Sequence, residues 1–89
     1  MKAILQKFDE ARVGFARAAE LQPDVEDYWI SLGDCELSLK KWPEAAAAYE
    51  KVVVLTPNNK AVWERLGDLY QEIGNKARRA EILKMLEDM

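Results

Sequence analysis

Apolar residues in this chain return every three or four positions, and glycine and proline cut the pattern into helix-length segments. The first segment runs from Phe8 to Leu21, with Phe8, Ala11, Phe15 and Ala18 on one face. No turn residue separates it from residues 2–7, which therefore extend the helix backward. The second, Asp24 to Leu39, carries Val25, Tyr28, Trp29, Leu32, Cys35, Leu37 and Leu39. Asp24 follows Pro23 and is placed to cap the first turn by accepting from an orphan N–H. Lys40 and Lys41 fall near its C-terminal end, where positive charge suits the helix dipole. Pro43 opens a third helix through the alanines 45–48, Tyr49, Val52, Val53 and Leu55, ending before Pro57. Proline is tolerated there because its missing N–H would have been unpaired anyway. A fourth helix starts at Lys60 behind Asn58 or Asn59 and runs to Ile73, where Gly74-Asn75 is a stop signal. The fifth spans Lys76 to Asp88.

These segments repeat. Trp29, Leu32, Gly33 and Asp34 recur as Trp63, Leu66, Gly67 and Asp68, thirty-four residues on. The same offset pairs Phe8 with Trp42, Ala11 with Ala45, Phe15 with Tyr49, Leu21 with Leu55 and Pro23 with Pro57. A fixed offset found in several places means that one structural unit has been copied. Trp29-x-x-Leu32-Gly33, then Ala45-x-x-x-Tyr49, then Pro57 resembles the tetratricopeptide repeat. The pattern departs at Glu36, where a tyrosine is wanted; the next copy supplies it as Tyr70. The resemblance implies an all-α, right-handed helix-turn-helix solenoid of about two and a half repeats and five helices. One domain is expected over 1–89: a partial repeat at 1–25, a complete one at 26–59, and a divergent terminal one at 60–89. Gly33 and Gly67, lacking side chains, are expected to let a neighbouring helix approach closely, as are Ala11 and Ala45. Arg79 stands where those alanines stand, so the last hairpin is expected to splay or Arg79 to reach outward. Ala80, Leu83 and Leu86 are read as its packing stripe.

Composition narrows the function. The chain has no histidine, which removes the commonest general base and metal ligand. Cys35 is the only cysteine, and its neighbours Asp34 and Glu36 oppose a thiolate, so it reads as a packing residue. No glycine-rich phosphate loop is present. An enzyme is not expected, and neither a cofactor nor a metal is implied. The net charge is −3 and the one basic cluster is Lys76, Arg78 and Arg79, too little for a nucleic-acid face. Nothing approaches the roughly 20 apolar residues of a membrane span.

What remains is surface for a protein or peptide partner. The resemblance implies a non-catalytic interaction module whose first helices line a concave groove. Opposite the packing stripe of Tyr28, Trp29, Leu32 and Gly33 lie Asp27, Ile30, Asp34, Leu37 and Ser38. The matching set in the next unit is Ala61, Glu64, Asp68, Gln71 and Glu72. Five of these ten are acidic and none is basic. Some family members hold the C-terminal carboxylate of chaperones with basic and amide residues on this surface; those are not reproduced here. A basic or amphipathic peptide, gripped by the acids and anchored on Ile30 and Leu37, is the expected partner. The alternative is a structural segment of a longer solenoid, acting in spacing or self-assembly. Phe8, Ala11 and Phe15 at one end, with Ile82, Met85 and Met89 at the other, are expected to expose apolar surface and support homo-oligomers.

Overall fold

The computed structural model describes residues 4–89. Among these the chain forms five helices and no strand: α1 (Ile4–Leu21), α2 (Glu26–Ser38), α3 (Trp42–Leu55), α4 (Lys60–Ile73) and α5 (Lys76–Glu87). From Ile4 on, the backward extension of the first helix is present; residues 2–3 of that expectation lie outside the described residues. Each helix packs on its neighbours in sequence, α1 on α2 through to α4 on α5. The result is an elongated body of 44 × 27 × 16 Å, in which burial comes from the stacking of successive helices.

Side-chain capping follows the sequence at α4, departs from it at α2, and at α5 adds a cap where the sequence reads only as a turn signal. Asn59 accepts from the Val62 amide and Asn75 from the Arg78 amide, satisfying orphan donors of α4 and α5. Asp24 does not cap α2. The N-cap is Val25, with no side-chain bond, because the turn 22–25 is closed by backbone bonds and carries Asp24 past the helix end. Glu26 and Asp27 in the first turn supply the negative charge that suits the dipole.

Loops are pinned to helices by a device that repeats. The indole N–H of Trp29 donates to the Pro23 carbonyl at 2.8 Å, and that of Trp63 to the Pro57 carbonyl at 2.7 Å. The thirty-four-residue pairing of both tryptophans and both prolines is thus one hydrogen bond made twice. Thr56 also donates its hydroxyl to the Glu26 carboxylate, tying the end of α3 to the start of α2.

The stop after α2 shows what a missing glycine does. Lys40 has φ 60°, the left-handed conformation, and its N–H bonds Leu37 O at 3.0 Å while Lys41 N–H bonds Glu36 O at 2.8 Å. These are the two hydrogen bonds of a glycine-type C-terminal cap. Gly74, in the matching place after α4, takes φ 89° without a Cβ penalty. Lys40→Gly is therefore expected to stabilise the protein by about 1 kcal/mol, read as a higher urea midpoint at unchanged slope.

The core joins Ala45, Ala46, Tyr49, Val52 and Val53 of α3 to Val62, Trp63, Leu66 and Leu69 of α4 and Ile82 of α5. The expectation for Gly33 is met, and those for Gly67 and for α5 are corrected here. Gly33 makes a tight contact: a Cβ there would lie 2.7 Å from Tyr49 Cε1. Gly67 does not: a Cβ there would meet Ile82 Cγ2 at an ordinary 3.5 Å. The packing residue of α5 is Ile82, fully buried, whereas Ala80 and Leu83 are exposed and Leu86 is half-buried. Ile82 was expected to face outward with Met85 and Met89; only those two are exposed. The hairpin stays packed, with Arg79 half-buried at its edge, because Ile82 supplies the bulk that reaches Gly67. Phe8, Ala11 and Phe15 are half-buried.

Candidate functional site

The first helices of the two units, α2 and α4, present one shared surface. A cavity of about 340 Å³ opens there, lined by Leu37 of α2, Trp42 of α3, and Arg65, Asp68, Leu69 and Glu72 of α4. Its floor is apolar and its charged groups come from one face of α4, since positions 65, 68 and 72 are spaced by three and four.

The structure brings together three of the eight residues expected to bind a partner: Leu37, Asp68 and Glu72. Asp27, Glu64 and Gln71 are exposed but do not line the cavity. Ile30 and Leu37 are half-buried and pack against the core, so neither is a free apolar anchor, although Leu37 keeps one side on the cavity. Asp34 is engaged. It accepts from the Tyr49 hydroxyl and pairs with Arg65 Nη1 at 2.8 Å. The guanidinium of Arg65 also lies 6.0 Å from the centre of the Tyr49 ring. Burial and the Asp34 carboxylate push the Tyr49 hydroxyl well above its ordinary pKa, so it stays a donor.

Sequence reading missed Trp42, Leu69 and Arg65. The face was expected to hold no base, yet Arg65 stands in it. The signal was available, because Arg65 shares the helical stripe of Asp68 and Glu72 at spacings of three and four, whereas the exposed Glu64 does not line the cavity. Pairing with Asp34 neutralises Arg65, so the cavity keeps an acidic balance from Asp68 and Glu72.

A second ionic network holds the far end. Arg78 binds Glu50 through Nε at 2.9 Å and Nη2 at 2.6 Å, Tyr70 donates to Glu50 at 2.8 Å, and the guanidinium sits 5.8 Å from the Trp63 ring centre. Burial works against the Glu50 charge, but the bonds from Arg78 and Tyr70 outweigh it and lower its pKa. Glu36 is the contrast. It occupies the register position of Tyr70, is only 7% exposed, and its Oε1 is buried without a hydrogen-bond partner. Burial first, then Glu44, raises its pKa, while Arg12 and Lys41 pull it back. Cys35 is buried, and burial followed by Asp34 and Glu36 raises its pKa, in keeping with a packing thiol.

These two carboxylates give opposite pH signatures. A carboxyl whose folded pKa exceeds its unfolded value costs stability wherever the unfolded chain is ionised. The Glu36 penalty is therefore present at neutral pH and is relieved as pH falls through its raised folded pKa. The Glu50 contribution is present above its unfolded pKa and is lost as pH falls towards its lowered folded value. Stability should rise on mild acidification and fall on strong acidification. Glu36→Gln should remove the rise and keep the fall, measured as urea midpoints across a pH series.

Stacked helical hairpins, each packed on the next, define a helical-repeat protein. The tetratricopeptide repeat family matches the chain over residues 5–60, and the chain belongs to that family. Such repeats generally mediate protein–protein interaction and are typically non-catalytic. No curated protein matches the chain. Among the described residues no group of side chains could hold a metal ion, and no helix is long and apolar enough to cross a membrane.

Proposed function

We propose that the chain binds a basic or amphipathic polypeptide on the face shared by α2 and α4. The observation that carries this reading is the cavity floored by Leu37, Trp42 and Leu69 and rimmed by Asp68 and Glu72. An apolar side chain of the partner fills the floor, and flanking lysines or arginines meet the carboxylates. The exposed Asp27 and Glu64 extend the acidic surface along the same helices. Gln71 and the half-buried Ile30 lie along it as well, with Asp34 positioning Arg65 rather than contacting the partner.

Charge reversal tests this directly. Asp68→Lys with Glu72→Lys is expected to weaken binding of a basic amphipathic peptide by about tenfold or more at low salt, with the difference shrinking as salt rises. Both residues are exposed, so the helical circular dichroism should be unchanged. Asp34 is left alone, because its loss would free Tyr49 and Arg65 and confound folding with binding. Fluorescence anisotropy with a labelled peptide reads the result. Equal affinity for the reversed protein places the partner elsewhere.

A further inference from the structure

A second cleft, sharing no lining residue with the groove cavity, lies between α2 and α3 over Trp29. It encloses about 270 Å³, with Trp29, Ala47 and Ala48 as apolar walls and Glu36, Glu44 and Lys51 as its charged groups. That volume is below the usual range for whole small-molecule ligands and suits a single side chain. Glu36 enters it with a buried, unpartnered oxygen, which a native fold ordinarily satisfies with a donor.

The chain carries its own template for what satisfies such a place. One unit later, Trp63 has the Arg78 guanidinium over its ring at 5.8 Å, and Glu50 holds that guanidinium through two bonds of 2.6 and 2.9 Å. Trp29 corresponds to Trp63, and its indole is anchored in the same way to a proline carbonyl. Arg78, however, corresponds to Glu44, and Tyr70 corresponds to Glu36. The second unit therefore keeps the aromatic platform, loses the internal cation and gains two carboxylates beside the ring.

We propose that this cleft receives an arginine side chain of a partner polypeptide, with the guanidinium over Trp29 and hydrogen-bonded to Glu36 and Glu44. The planar, multiply donating guanidinium matches a ring face and two carboxylates together, which an ammonium does not. Arg12, on the neighbouring helix, is paired with Asp9 at 3.0 Å and does not enter the cleft lining. Lys41 is exposed and also outside the lining, whereas Lys51, exposed at the rim, is an internal competitor. Removing Lys51 strengthens the site. The proposal is independent of the groove reading, and the two faces can be occupied together.

The test is a nuclear magnetic resonance titration of the 89-residue chain with acetyl-Ala-Arg-Ala-amide, following the Trp29 indole and the amides of Glu36, Ala47 and Ala48. Saturable shifts centred on these groups are expected, with the lysine peptide binding several-fold more weakly and the citrulline peptide producing none. Glu36→Gln with Glu44→Gln should lower affinity about tenfold, and Lys51→Ala should raise it. Glu36→Tyr, which fills the cleft with the side chain found at position 70, should abolish binding. If that variant fails to fold, the exposed Glu44→Gln alone still decides, with a severalfold loss expected. Absent shifts, equal binding of the lysine or citrulline peptide, or shifts centred on Asp68 and Glu72 overturn the assignment. So does unchanged affinity in the glutamine variants. Free arginine binding more tightly than the peptide overturns the polypeptide source.

Discussion

Gly33→Ala is expected to destabilise the protein by about 1–2 kcal/mol, although alanine is the better helix former by about 1 kcal/mol. The reason is the 2.7 Å separation between a Cβ at position 33 and Tyr49 Cε1, with Cζ only slightly further at 2.9 Å. A flexible side chain would yield at small cost. Tyr49 cannot, because it is 0% exposed in the core and its hydroxyl is held by Asp34. Accommodation must therefore move α2 away from α3, and the Asp34–Arg65 pair with it. Gly67→Ala is expected to be neutral or stabilising by up to about 1 kcal/mol, since its Cβ meets only Ile82 Cγ2 at 3.5 Å. The two variants should differ by about 5–20 °C in Tm. Equal thermal transitions would mean that the α2–α3 contact relaxes without cost.

Ile82→Ala is expected to cost about 3 kcal/mol, while Leu83→Ala costs less than about 1 kcal/mol. Ile82 is 0% exposed and Leu83 is 42% exposed, so only the first leaves a cavity when truncated. Helix α5 packs along α4 and reaches α3 chiefly through Arg78, so its anchoring depends on few side chains. Ile82 reaches Gly67 on one side, and Leu86 packs on the core one turn further on. The Arg78 bonds to Glu50 remain in the variant, but partly exposed ion pairs contribute little next to a lost core side chain. Hydrogen exchange should show α5 opening ahead of α3 and α4 in Ile82→Ala, and unchanged protection in Leu83→Ala. Larger damage from Leu83→Ala would place the packing face of α5 one residue away from that described.

The sequence by itself determined the helices, their order and the family. Those features rest on local rules: helical periodicity, proline and glycine stops, asparagine caps and a thirty-four-residue copy. Each rule involves residues within a few positions of one another, or an offset countable along the chain. Asp24 failed as a cap even so, because backbone bonds across the turn 22–25 decided where α2 begins.

Tertiary structure alone decided what lies across from each residue. Glycines 33 and 67 match in sequence yet differ in the packing they permit, because one faces a pinned aromatic ring and the other a branched aliphatic tip. Asp34 and Asp68 match as well, but only Asp34 is engaged by Tyr49 and Arg65, whereas Asp68 lines the open cavity. Arg78, which sequence placed only in a small basic cluster, closes a network with Glu50, Tyr70 and Trp63. Burial and partner choice depend on how separate helices roll against each other. That roll is set by the summed volumes of facing side chains, which no offset along the chain encodes.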